Sequence, residues 1–177
     1  MREVCKELLD VVLESSDTGP PKALALQRAI ELIEGDVPNE KLILSQGLSD
    51  SYKSQNLAHV QVRNKMRERQ PGSEPQSGDR VPYILLDTGD PKAKAYEKAE
   101  DPKYAKDNNL KVDYTYYFIN KFLNPVCDLI EPLFEDPKEE IFGELLTRVK
   151  PKRRPKKKVE VEEGQQKISD MFKSLKK

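Results

Sequence analysis

Arg63, Lys65, Arg67 and Arg69 occupy alternate positions of the stretch AHVQVRNKMRER, and a turn containing Gly78, Asp79 and Arg80 follows shortly after. Guanidinium and ammonium groups meet phosphate oxygens, and turn amides add further donors, so this pairing could track a nucleic-acid backbone. A solvated helix face accounts for the same spacing, because Glu68 and Glu74 are interspersed. Other chemistry is poorly served. Asp87-Thr88-Gly89 follows an apolar run as the acid of an aspartic protease does, but a turn after a strand explains it, and a protease would need a second such loop from a dimer partner. The acids Glu97, Glu100, Asp101, Glu139 and Glu140 sit in charged helical patterns that read as solvated faces, not as a two-metal site. Neither a Gly-rich phosphate loop nor a nucleophile elbow occurs. With a single histidine, His59, and with Cys5 and Cys127 far apart, zinc ligation is not expected. The chain by itself reads as non-catalytic.

The elements that must hold these residues follow from periodicity. Residues 2–14 put Val4, Leu8, Leu9, Val11, Val12 and Leu13 on a broad helical face, and SSDTGPP stops it. A second helix is predicted over 22–34, ended by Gly35, giving an antiparallel helix pair. Leu42–Leu44 is a short β-prone run, residues 56–70 are helical, and PGSEPQSGD breaks that helix. RVPYILLDTG reads as a strand, with Pro82 marking its start or an edge. KAKAYEKAED is a short helix. Asp113 is the expected N-cap of a longer, buried helix through Phe134, kinked or segmented at Pro125 and Pro132. The fold class is α+β, mostly helical, with a short β element.

The 177 residues carry 31 basic and 31 acidic side chains, so a zero net charge conceals local segregation. From Lys150 to Lys158 lysines, arginines and prolines crowd together, a composition that reads as a disordered basic arm. The expected organisation is a domain over 1–147, a flexible basic linker over 148–164 and a terminal peptide over 165–177. No apolar leader or membrane-length apolar span occurs, and the reading is an intracellular, soluble protein with no membrane partner.

Three blocks, LAHVQVRNKMRERQPGSEPQSGDRVPYILLD, KAYEKAEDPKY and VDYTYYFINKFLNPVCDLIEPLFED, resemble the thumb region of family B DNA polymerases, closest to delta-type replicative enzymes. The matching features are Ala58-His59, Met66, Pro71-Gly72-Ser73, Gly78-Asp79-Arg80-Val81 with Tyr83, Glu100-Asp101-Pro102, and Asp113 to Tyr117 leading to Asn124-Pro125. The resemblance covers roughly residues 1–136. It implies a helical thumb that grips the primer-template duplex behind the active site, with His59, the Arg63, Lys65, Arg67 and Arg69 helix, and Gly78, Asp79, Arg80 and Tyr83 as duplex contacts. The family's palm motifs with their metal-binding aspartates are absent, as is the cysteine-rich tail of delta-type enzymes, and this second absence resembles viral or archaeal relatives. No cofactor is therefore expected in this chain. Mg2+ is expected at the palm of a partner polypeptide that also bears the exonuclease, so that this chain is either the small part of a split polymerase or a piece of a longer one.

Gln165, Ile168, Met171 and Phe172 in GQQKISDMF fit the spacing of a sliding-clamp-binding peptide of the PCNA-interacting type. One helical turn brings Ile168, Met171 and Phe172 to one side, where they can fill an apolar pocket while Gln165 makes polar contacts. An amphipathic end-helix docked on the domain is the alternative for the same residues. The functional reading is a non-catalytic thumb that grips duplex DNA and recruits the clamp for processive replication. The alternative is a stand-alone clamp-binding regulator of replication with a thumb-like fold. Its compartment would be the cytoplasm of a prokaryote or virus-infected cell, or the nucleus in a eukaryote.

Overall fold

The computed structural model describes residues 1–52, 54–90 and 92–149. The basic arm and the clamp-type residues Gln165, Ile168, Met171 and Phe172 lie outside the described residues. The architecture is mostly helical, built around a small three-stranded antiparallel sheet.

Two helices open the chain, α1 (Arg2–Glu14) and α2 (Gly19–Glu34). The predicted boundary of α2 shifts outward, because Pro20 and Pro21 stand in its first turn, where a missing N–H costs nothing and the fixed φ suits a helix. Gly35 ends it in the left-handed region at φ 87°, and a Cβ there would lie 3.0 Å from the Tyr114 ring, so glycine is required twice over. Arg28 of α2 grips Glu7 of α1 through two hydrogen bonds of 3.0 and 2.6 Å. On α1 only Leu8 is fully buried, and Leu13 is left 75% exposed, so the broad apolar face read from the sequence is narrower in the fold.

A single 3-10 turn over Asn39–Leu42 leads into β1 (Leu44–Gly47), then α3 (Ala58–Arg69) and β2 (Arg80–Leu85). Helix α4 covers only Ala95–Lys98 and passes directly into β3 (Ala99–Glu100). The longer helix predicted there is thus cut short, since Ala99 and Glu100 pair with Leu85 and Ile84. The central strand is β2, with Leu44 opposite Tyr83 and Gly47 opposite Arg80 on its other side. Pro82 is tolerated because β3 pairs only with Ile84 and Leu85, leaving the proline with one neighbouring strand.

Helix α5 (Pro102–Asp107) starts from the Asp101 cap, whose side chain accepts the Tyr104 amide at 3.0 Å. Asp113 caps α6 (Tyr114–Tyr117) through the Tyr116 amide at 2.8 Å, as its position before the helical pattern predicts. A π-helical segment over Phe118–Phe122 then joins α6 to α7 (Leu123–Ile130). Pro125 has no N–H to offer the Lys121 carbonyl four residues back, and the widened register of the preceding turn accommodates its ring without breaking the helix. The helix closes in a 3-10 turn containing Pro132. A last helix, α8 (Pro137–Val149), carries the charged helical pattern of Glu139 and Glu140 on its exposed side and buries Ile141, Phe142, Leu145 and Leu146. Phe118, Phe122 and Phe142 pack with ring centroids 6.0 to 6.1 Å apart and form the centre of the core.

Candidate nucleic-acid interface

Helix α3 divides its cations into two stripes. At about 100° per residue, Arg63 and Arg67 share one side, and Lys65 and Arg69 lie about 200° around the axis from them. The second stripe is taken inward by Glu100, whose side chain is only 7% exposed. Arg69 donates to both Glu100 oxygens at 2.9 and 2.8 Å, its guanidinium stacked 3.4 Å above the Tyr104 ring. Lys65 donates to the Ala99 carbonyl at 2.7 Å and pairs with Glu100 at 3.5 Å. The Asp101 amide completes the set at 2.8 Å. Burial pushes the Glu100 carboxyl up, but Arg69, the Asp101 amide and Lys65 together outweigh it and hold the group below the usual carboxylate range. Arg69 is raised in return, first by its hydrogen bonds to Glu100.

Glu100 and Asp101 are therefore not a solvated helical face. The signal for this is local: Asp101-Pro102 is a helix start, which takes Glu100 out of the preceding helix and onto the sheet.

On the other stripe, Arg67 is exposed, and neither it nor Arg63 makes a hydrogen bond or ion pair among the described residues. The Nε of Arg63 is buried without an acceptor. The turn that follows α3 carries Gly72 and Gly78 at φ 90° and 92°, and space is open beside both. Gly78 donates to the Leu48 carbonyl at 2.9 Å and the Leu48 amide donates to Asp79 at 2.7 Å, so the turn is stitched to the end of β1. Asp79 turns its carboxylate back onto the Gln76 amide at 2.8 Å, and Arg80 lies across β1, bonded to Ser45 through Nε and Nη2 at 3.1 and 2.8 Å.

His59 and Tyr83 point inward, with exposures of 5% and 6%. Nε2 of His59 lies 2.9 Å from the Tyr52 hydroxyl. That hydroxyl donates to the Gly47 carbonyl at 3.0 Å and accepts from the Ser49 amide at 2.9 Å. Its one hydrogen being engaged, the imidazole must carry a proton on Nε2, which leaves Nδ1 as a buried acceptor without a partner. Burial holds the His59 pKa below its ordinary value. His59 thus acts on the 47–52 loop, which Leu48 in turn ties to Gly78 and Asp79. Tyr52, unmarked in the sequence reading, is the link, and its only local signal is an aromatic in a polar loop.

Asp87 closes the turn after β2 by accepting the Gly89 amide at 3.0 Å and pairing with Lys111 at 3.2 Å, contacts that hold its carboxyl below the usual range. The carboxylate has the geometry of a capped surface turn. Among the described residues no three His, Cys, Asp or Glu side chains converge to hold a metal ion. Among them, too, no helix is long and apolar enough to cross a membrane.

The sequence pattern of DNA polymerase family B matches residues 1–133. The DNA polymerase of Paramecium bursaria Chlorella virus NY2A is 36% identical over 150 residues, covering 84% of this chain and 16% of that protein. The DNA polymerase delta catalytic subunit of Candida albicans is 32% identical over 147 residues, covering 83% of this chain and 14% of that protein. The chain thus spans only about a sixth of the length of such relatives. The family B DNA polymerase from the hyperthermophilic archaeon Pyrobaculum calidifontis shares the fold, with a TM-score of 0.60 at 21% identity over 75% of this chain and 18% of that one.

Proposed function

This chain belongs to DNA polymerase family B, and from that membership we propose that it is the thumb portion of such an enzyme, gripping the primer-template duplex during DNA replication. The observation that carries the reading is the division of α3. Glu100 anchors one basic stripe to the sheet and thereby fixes the orientation of the other, Arg63 and Arg67, beside an open turn. Contacts of this kind are to phosphates, so binding would be indifferent to sequence and steeply weakened by salt. Lys65 and Arg69 then serve the grip by holding α3 in place, and His59 by holding the loop behind Gly78.

Nucleotide incorporation falls to a palm-bearing polypeptide, where the Mg2+ would reside. The tail residues Gln165, Ile168, Met171 and Phe172 would recruit a PCNA-type sliding clamp, the basic arm acting as a tether that raises effective concentration.

Fluorescence anisotropy of the full chain with labelled duplexes of unrelated sequence tests the grip. The expected result is equal affinity for all of them, and a loss of about 5- to 30-fold at low salt for the Arg63→Ala/Arg67→Ala double variant, with a shallower salt dependence. A chain that binds no duplex, or whose double variant binds as tightly as the parent, overturns the reading.

A further inference from the structure

The bulge at Gly78 fixes which way each backbone group of β1 points. The Gly78 amide donates to the Leu48 carbonyl at 2.9 Å and the Leu48 amide to the Asp79 carbonyl at 2.7 Å, with Gly78 at φ 92°, so one residue faces two of the turn. Leu48 therefore turns its backbone groups toward β2, as do Gln46 opposite Val81 and Leu44 opposite Tyr83. Ser45 and Gly47 turn theirs outward, because β1 is an edge strand. Both outward carbonyls are taken: that of Ser45 accepts Nη2 of Arg80 at 2.8 Å, and that of Gly47 accepts the Tyr52 hydroxyl at 3.0 Å. The two outward amides have no acceptor among the described residues, and both residues are exposed. A Cβ at Gly47 would meet nothing within 4 Å, so the space beside it is open.

An edge of this kind offers donors only. A further β-strand needs acceptors as well, and a guanidinium laid across the edge refuses one. A phosphodiester brings acceptors alone and carries the charge that Arg80 complements. We propose that the outer edge of β1 is a phosphate ledge, where the Ser45 and Gly47 amides and the Arg80 guanidinium hold neighbouring phosphates of one strand of the duplex. The inference rests on the duplex-gripping reading and deepens it, adding neutral donors to the cations of α3. The two amides, two strand residues apart, are separated by about 6 to 7 Å, close to the step between successive phosphates. Arg80 keeps its bonds to Ser45 through Nε and Nη2, and Nη1, unbonded among the described residues, is left for the anion. Tyr52 does for Gly47 what Arg80 does for Ser45, since each engages a carbonyl oxygen that would otherwise repel a phosphate. His59, by holding Tyr52, serves the ledge at one remove.

The test is an NMR titration of the isotope-labelled full chain with duplex, together with anisotropy across a salt series for the parent, Ser45→Pro and Gln46→Ala. The Ser45 and Gly47 amide protons are expected to move downfield as duplex is added, as donors to a phosphate do. Ser45→Pro removes one outward amide at an edge position that tolerates proline, and is expected to bind about 3- to 10-fold more weakly. Its salt dependence is expected to match the parent's, because no cation is lost, whereas Arg63→Ala/Arg67→Ala makes it shallower. Gln46→Ala, which alters the same strand without touching an outward amide, is expected to match the parent in affinity. Unmoved Ser45 and Gly47 resonances on a chain that binds duplex, or Ser45→Pro binding as tightly as the parent, overturns the ledge and leaves the grip standing. Shifts that appear on raising protein concentration alone would mean that two β1 edges pair, and these overturn it as well. The resonances are read on the parent chain, so they decide the matter even where Ser45→Pro fails to fold. Absence of duplex binding in every variant overturns the grip and the ledge together.

Discussion

Glu100 shows how one buried acid can decide the meaning of four cations. It is hydrogen-bonded on both oxygens, so replacing one of them with an NH2 group removes the charge and breaks one arm of the Arg69 fork, while Lys65 keeps the Ala99 carbonyl. Glu100→Gln is expected to destabilise the domain by about 1–3 kcal/mol near neutral pH. Arg69 is itself a third exposed and partly re-solvates, which keeps the loss below that of a fully buried pair. The pH dependence has a definite sign. Because the folded carboxyl sits below its ordinary value, the stabilisation is complete above the unfolded pKa of about 4.3 and is lost as pH falls through the lower folded value. His59 acts in a higher window: folding disfavours its protonated form, so stability declines as pH falls below about 6.5. Urea unfolding across pH separates the two. Glu100→Gln should flatten the acid limb and leave the limb near pH 6 in place; an unchanged acid limb would mean that the carboxylate is not the titrating group.

At the scale of elements, the π-helical segment and α8 belong to one packing unit. Widening the turn at Phe118–Phe122 lets the helix pass Pro125 unbroken and keeps Phe118 and Phe122 on the side that Phe142 covers. Phe142 is completely buried, so Phe142→Ala is expected to cost about 3–5 kcal/mol, measurable as a shift in the urea midpoint without a change in slope. A loss below about 1 kcal/mol would show that α8 is peripheral. The sheet is a different kind of element, since its strands are too short to be stable alone and serve to bring β1, the Gly78 turn and Glu100 to fixed places around α3.

At the scale of the whole molecule, the proposed thumb role predicts that primer extension needs a palm-bearing polypeptide. The full chain mixed with a palm-bearing family B polypeptide from the same source is expected to form a stoichiometric complex that extends primers, with neither part active alone. Incorporation by this chain alone would refute the division of labour. Addition of the sliding clamp should lengthen the products, and Phe172→Ala should abolish that gain while leaving unclamped extension unchanged. Equal stimulation of both would remove the tail from clamp recruitment.

What the sequence by itself determined was local. The apolar spacing of α1 and α2, the left-handed stop at Gly35, the strand around Val81–Leu85 and the Asp113 cap all depend on residues within a turn or two of each other, and the fold keeps them. The ordered blocks from Ala58 to Pro125 carried the family in the same way. What only the tertiary structure decided was the partner of each polar group. Alternation along α3 cannot say which pair of cations faces inward, because Glu100 lies 31 residues beyond Arg69 and reaches it only through the pairing of β2 with β3. Nor can it show that His59 turns onto Tyr52. A charge patterned along a helix specifies a face, whereas burial and long-range ion pairing specify whether that face is free, and these exist only once the chain has closed on itself.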